Sequence, residues 1–269
     1  MQLGDIEILP VLDSDWVNDP REAFAKSPEA LEAHKDLLTP DGMLAMPMGG
    51  FLIRRRAYDR VALVDLGLGR TPLFGRNGDA AMLKSLAALG YRPEDISDVI
   101  LTHLHLDHVG WASIDGRPTF PNATYRCHKA DWDHWVVRMA HAKEFHAAAQ
   151  RDLMKPTEAQ LEPWTGDVTL LPGVDARHVP GHTPGNCLLV LSSGEQRAML
   201  LGDVVHCPMQ LIDEEWDGLS DVDPVAARAA KNALAREIEG QDIPVAAAHF
   251  AGMQFGRLIQ GEQRRRFVY

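Results

Sequence analysis

The chain has 269 residues, 45% hydrophobic and 24% charged, the composition of an ordinary soluble globular protein. Its formal charge of −11, from 27 Lys plus Arg against 38 Asp plus Glu, argues against a polyphosphate partner such as nucleic acid. No apolar run approaches the ~20 residues of a membrane helix, and three cysteines without CxxC spacing argue against a disulfide scaffold or a thiolate zinc site.

Residues 1–15 have neither the basic nor the apolar segment of a secretion signal. A cytoplasmic location is therefore expected, with Cys127, Cys187 and Cys207 as reduced, buried thiols. Residues 6–12 predict an early strand and 19–40 a charged helical excursion. Residues 50–53 and 60–65 predict a pair of strands, broken by Gly67-Leu68-Gly69. Met82, Leu83, Leu86 and Leu89 have helical spacing, with Gly90 as the stop. Residues 98–102 predict a short buried strand that delivers the chain into His103. Residues 127–160, rich in Ala, His, Trp and charge, predict one or two helices laid over a site.

Strands are expected again at 168–171, 187–191 and 198–201. Asp223 and Pro224 suit an N-cap and first helical position, ahead of an apolar stripe of Val225, Ala229, Ala230, Leu234 and Ile238 that Gly240 ends. A last strand over 244–248 runs into His249. Strands followed by a helix, twice over, predict an α+β fold of two packed sheets with helices outside. No linker divides the chain, so 1–269 is expected to be one domain with a helical insert near 127–160.

The chemistry concentrates in Thr102-His103-Leu104-His105-Leu106-Asp107-His108-Val109-Gly110, where four metal-competent side chains fall within six residues. In an extended stretch His103, His105 and Asp107 point the same way, and His108 can turn back if the loop curls. Three imidazoles and a carboxylate suit Zn²⁺ or another borderline metal. Three further matches follow in order. Pro180-Gly181-His182-Thr183-Pro184-Gly185 presents one histidine on a bracketed turn, Gly202-Asp203 places a carboxylate after an apolar strand, and His249 ends another. Together these seven residues predict a two-metal site.

THLHLDHVG at 102–110, PGHTPG at 180–185, GD at 202–203 and the histidine at 249 resemble the metallo-β-lactamase superfamily over residues ~50–255. LVDLG at 63–67 resembles its early strand, with Asp65 in a supporting role. The resemblance implies a four-layer αββα sandwich with the site at one edge. It implies a first metal on His103, His105 and His182, a second on Asp107, His108 and His249, and Asp203 bridging both. The metals are expected to be zinc, with Mn, Fe or Co also accepted by the same set. It implies hydrolysis by a hydroxide held between them, with Asp203 steering the nucleophile and shuttling a proton.

LTHLHLDHVGW at 101–111 and the insert beginning at Cys127 resemble the N-acyl-homoserine lactonase and methyl parathion hydrolase branch. A lactone or carboxylic ester is then the expected substrate, with organophosphate triester hydrolysis as the alternative and thioesterase or mononuclear iron dioxygenase chemistry behind it. Lactonases of this branch commonly have tyrosine where this chain has His206, so His206 is read as an acid or hydrogen-bond donor, or as a packed histidine. Trp111, Phe250 and Met253 are read as an apolar wall or as core, and Met46 and Met48 as pocket mouth, core or dimer contact. His128, His134, His141, His146 and His178 are expected on solvated faces. A homodimer is expected on resemblance alone.

Overall fold

The computed structural model describes residues 1–24, 28–55, 58–141, 145–218 and 220–269; at Glu22, Ala23, Pro28, Ala140, His141 and Phe145 it describes the backbone alone. The expected helix at His141 therefore cannot be read for that side chain's exposure, which lies outside the described set.

One sheet has six strands in the order Gln2–Leu3, Ile6–Asn18, Leu44–Arg55, Val61–Val64, Asp98–Ile100 and Thr124–Arg126. The first four are antiparallel neighbours, and the last three run parallel. The second sheet has five, in the order Val245–Ala246, Gln196–Leu200, Cys187–Ser193, Val174–His178 and Val168–Leu171. Residues 6–12 open a strand longer than the sequence predicts, reaching Asn18, because it pairs with Leu44–Arg55 along nearly its whole length. The strand Val174–His178 was not read from the sequence; Asp175 and Arg177 break its apolar pattern.

Side-chain alternation sorts the strand residues into layers. Phe51, Ile53, Ala62 and Val64 meet Leu189, Leu191, Ala198 and Leu200 between the sheets. Leu52 and Leu63 face outward instead, onto Met82 and Leu86 of the helix Met82–Ala88 and onto Trp132, Val136 and Met154. On the far side Leu188 and Met199 meet Leu234, Ala235 and Ile238 of the helix Pro224–Ile238. Both sheets are thus covered on both faces, which explains their nearly continuous apolar runs. The result is the expected four-layer αββα sandwich.

Helical segments run from Lys129 to Gln160 with an irregular course: a π turn at Trp132–Val137, a 3-10 turn at Arg138–His141 and an α-helix at Phe145–Met154. Asp223 caps Pro224–Ile238 by accepting from the Val225 and Ala226 amides. Among the described residues no helix is long and apolar enough to cross a membrane. All three cysteines are free and buried.

Candidate metal centre

Strand ends deliver the polar side chains to one edge of the sandwich. Asp65 follows Val61–Val64, Asp203 follows Gln196–Leu200, and His249 follows Val245–Ala246; His103 comes just after Asp98–Ile100. The chain beyond His103 is not an extended stretch, which corrects the alternation read from the sequence. His105 is the N-cap of a one-turn helix, Leu106–Val109, that carries Asp107 and His108. Leu106, His108 and Val109 are buried there, so apolar anchoring favours a turn over a strand. Gly202 has φ 52°, and a Cβ there would lie 2.7 Å from Cys187 O and 2.9 Å from Thr102 Cβ. Only glycine lets the chain turn at that spot and present Asp203.

The donors form four overlapping triads, His103–His105–His182, His103–His108–Asp203, Asp107–His108–His249 and His182–Asp203–His206, each with its donor atoms within 4.8 Å of one another. All seven sequence-predicted donors and His206 are therefore brought together. Asp203 is the hub. Its Oδ2 lies 3.3 Å from His206 Nε2, 3.5 Å from both His182 Nε2 and His249 Nε2, and 3.8 Å from His103 Nε2. Its Oδ1 lies 3.4 Å from His108 Nε2. Asp107 Oδ2 lies 3.4 Å from His249 Nε2.

These separations are longer than strong charge-assisted hydrogen bonds, and they suit atoms that would each sit ~2.0–2.2 Å from a shared cation. His103 Nε2, His108 Nε2, His182 Nε2 and Asp203 Oδ1 are buried without a hydrogen-bond partner among the described residues. Orphaned nitrogens and a carboxylate oxygen aimed at common points are a fit for divalent transition metals.

The opposite ring nitrogens are held from behind. His108 Nδ1 lies 3.0 Å from Asp65 Oδ2, His182 Nδ1 2.9 Å from Asp221 Oδ1, and His249 Nδ1 donates to Pro47 O at 2.8 Å. Such partners set the tautomer that leaves Nε2 free to ligate. Asp65 has φ 59°, a strained conformation for a non-glycine residue, and also accepts from the Thr102 amide and hydroxyl.

Charge in the cluster follows burial and pairing. Burial, then His182 beside it, pushes His105 down to about 3. Burial, then His108, holds His103 well below the usual histidine value. At His108 and His249 burial is outweighed by carboxylates. Asp203 and Asp65 raise His108, while Asp203 and Asp107 raise His249 to about 10. Burial likewise opposes charge on Asp203, but the surrounding imidazoles, His108 first, hold it well below the carboxylate range.

Sequence reading missed Asp221 and Asp131. Asp131 is fully buried and accepts from Leu104 N at 2.9 Å, Thr183 Oγ1 at 2.9 Å and Gly185 N at 2.6 Å. One carboxylate thus ties the 102–108 segment to the 180–185 turn, and burial pushes it up to about 6 against those three hydrogen bonds. An acid inside an Ala- and Trp-rich segment was the available signal.

The donors open into a cavity of about 890 Å³ walled by Trp16, Phe24, Met43, Met46, Met48, Leu73, Phe74 and Trp135. Met46 and Met48 are therefore wall residues. Trp111, Phe250 and Met253 are not; they are buried in the core, and Trp111 Nε1 donates to Asp13 Oδ1 at 2.8 Å. Two of the histidines expected on solvated faces are packed instead. His128 is buried, edge-on to Trp164 and stacked on half-buried His178 with ring centroids 3.8 Å apart. His134 is half-buried against Trp135, and His146 borders the cavity beside Phe74.

The sequence profile of the metallo-β-lactamase superfamily matches residues 51–249, and the chain belongs to that superfamily. Among its relatives is an N-acyl homoserine lactonase of Bacillus cereus, 24% identical over 180 residues. That match covers 61% of this chain and 66% of the lactonase, just under two thirds of the relative's length. Among solved structures, AidC, described as a dizinc quorum-quenching lactonase in complex with its product, superposes with a TM-score of 0.86 at 23% identity, covering 100% of this chain and 95% of AidC. The hydrolase AbOPH superposes with a TM-score of 0.83 at 24% identity over 100% and 95% of the two chains. At these identities the structural likeness establishes the shared fold.

Proposed function

We propose that this chain is a metal-dependent hydrolase that opens a lactone or cleaves a related carboxylic ester. The observation that carries the reading is the convergence of five imidazole nitrogens on the two oxygens of Asp203, three of them with no hydrogen-bond partner among the described residues. His103, His105 and His182 would hold one divalent ion, Asp107, His108 and His249 a second, and Asp203 would touch both. Imidazole and carboxylate donors favour zinc, in line with the dizinc description of AidC. When bound, the ions supply Lewis-acid polarisation of the substrate carbonyl and make water acidic enough to ionise near neutral pH.

The chain's own groups do the rest. Asp203 Oδ2 accepts the proton released as water attacks. His206 Nε2, 3.3 Å from that oxygen, returns a proton to the alkoxide that leaves. The side chain of Asp107 is 17% exposed, which leaves it open to the cavity as a second proton acceptor. The methionine and aromatic wall takes the apolar tail of the substrate and keeps bulk water from it. A lactone or ester of this kind has a polar reacting head and an apolar tail, and the cavity lining offers both metal donors and apolar side chains. Organophosphate triester hydrolysis is the second reading, favoured by histidine at 206, as in relatives of methyl parathion hydrolase.

Metal analysis together with turnover of γ- and δ-lactones, an aryl ester, a phosphotriester and a thioester tests the reading. About two metals per chain with lactone turnover is expected, and Asp203→Ala is expected to lose metal and nearly all activity. Full turnover by Asp203→Ala with both metals retained overturns it.

A further inference from the structure

The helix Pro224–Ile238 buries Leu234, Ala235 and Ile238 on one face, and Lys231 shares that face at helical spacing, 2% exposed. A lysine is almost never buried this deeply unless its charge is paired. Here Nζ donates to three backbone carbonyls, of Trp216 at 2.7 Å, Glu214 at 2.9 Å and Asp213 at 3.4 Å. Carbonyls bring no full negative charge to offset the desolvation of an ammonium. Methionine would fill the same length without that cost. What the lysine supplies is a fixed place for those carbonyls.

The described residues of 213–223 form neither helix nor strand, so side contacts set their course. At the near end Trp216 is buried, with Phe24 at a centroid distance of 5.5 Å and His34 edge-on at 5.1 Å. At the far end the segment meets the metal donors twice. Asp221 Oδ1 lies 2.9 Å from His182 Nδ1. A Cβ on Gly218 would lie 3.1 Å from His206 Cε1 and 3.1 Å from each Asp221 carboxylate oxygen. Gly218 thus packs between the His206 ring and the carboxylate behind His182. The short link from Trp216 to Asp221 leaves little slack, so the position of one end governs the other.

We infer that Lys231 is a positioning residue for the metal centre, acting through the 213–223 segment to hold Asp221 against His182. The assignment rests on the two-metal reading above and adds to it a residue on the outer helix that touches no metal donor.

The test is a double-mutant cycle read by Zn²⁺ affinity in chelator competition, with no turnover required. Lys231→Met is expected to weaken Zn²⁺ binding about tenfold. In an Asp221→Ala background the same change is expected to cost less than about twofold, because the residue it acts through is gone. Arg236→Gln removes an exposed contact from the same helix to Glu214 and is expected to leave affinity unchanged. A lower melting temperature with native Zn²⁺ affinity in Lys231→Met overturns the assignment and makes the lysine a stabilising residue only. An equal loss in both backgrounds overturns it as well. Lys231→Gln, which keeps a shorter donor, replaces Lys231→Met if that variant does not fold.

Nitrogen NMR of His182 in metal-free protein separates this inference from the metal reading. Asp221 holds the proton on Nδ1 in the native protein, and Lys231→Met is expected to shift the ring towards a mixture of tautomers. That shift supports the assignment even if the native protein binds no metal, in which case the two-metal reading alone fails. Metal binding with an unchanged His182 ring in Lys231→Met overturns the assignment and leaves the metal reading standing.

Discussion

Asp221 Oδ1 lies 2.9 Å from His182 Nδ1, so the acidic segment ahead of the helix Pro224–Ile238 reaches back to the metal centre. The Val222 amide donates to His182 O at 3.0 Å and the Asp223 amide to Gly181 O at 2.9 Å, which fixes the same turn through its backbone. Buried Lys231 secures the preceding stretch by donating to the carbonyls of Glu214 at 2.9 Å and Trp216 at 2.7 Å. Removing the carboxylate with Asp221→Ala frees the ring of His182 to rotate and to change tautomer. Metal affinity, read by chelator competition, is expected to fall ~10–100-fold while the melting temperature of the metal-free protein changes little. Unchanged affinity would show that Asp221 only packs.

Asp131 ties two donor-bearing segments together from beneath. Asp131→Ala leaves the buried amides of Leu104 and Gly185 without an acceptor, and the expected loss is about 3–5 kcal/mol, read as the shift in denaturant midpoint. Thr183→Val removes one donor and leaves the other two bonds, so its loss is expected to be about 1 kcal/mol. A variant series in which Thr183→Val matches Asp131→Ala contradicts the tether.

His206 sits among the other imidazoles, its ring stacked on that of His249 with centroids 5.8 Å apart. Its Nδ1 is buried without a hydrogen-bond partner among the described residues, and its backbone amide donates to Gln210 Oε1 at 2.6 Å. His206→Phe keeps the ring's volume and removes the proton donor. Turnover is expected to fall ~100-fold or more, with metal content intact. Loss of metal would instead make His206 a ligand, as its triad with His182 and Asp203 allows, and unchanged turnover would make it packing.

His128 gives the protein an acid limb. Burial first, then His178 stacked on it, pushes it down to about 4 from an ordinary 6.5. The folded state therefore favours the neutral ring, and the unfolded chain binds a proton more readily between about pH 6.5 and 4. Stability present above the unfolded value is lost as pH falls through that window. The ring caps the turn Lys129–Asp131 by accepting from the Ala130 amide, a role asparagine can take. His128→Asn is expected to flatten the melting-temperature profile between pH 6.5 and 4. Profiles that stay parallel to the native one would remove His128 as the cause.

The His103-x-His105-x-Asp107-His108 run, His182 in its glycine–proline bracket, Asp203 after glycine and His249 at a strand end were all legible in the chain, because ligand chemistry restricts residue type at each position. The layer order was legible for the same kind of reason: strands buried on both faces read as apolar runs, and the stripe from Val225 to Ile238 has helical spacing. The strand Val174–His178 was hidden by Asp175 and Arg177.

Partnership was another matter. Whether Trp111 lined the cavity or the core depended on Asp13, 98 residues away, taking its indole proton. Whether His128 was solvated depended on His178 coming to lie on it. Asp221 and Asp131 looked like ordinary acids until folding set one behind His182 and the other under Leu104, Thr183 and Gly185. Residue type and spacing are local properties that chemistry constrains directly, so the sequence by itself determined which atoms could bind metal. Burial and hydrogen-bond pairing arise from contacts between distant segments, so the tertiary structure alone decided what holds those atoms in place and what surrounds them.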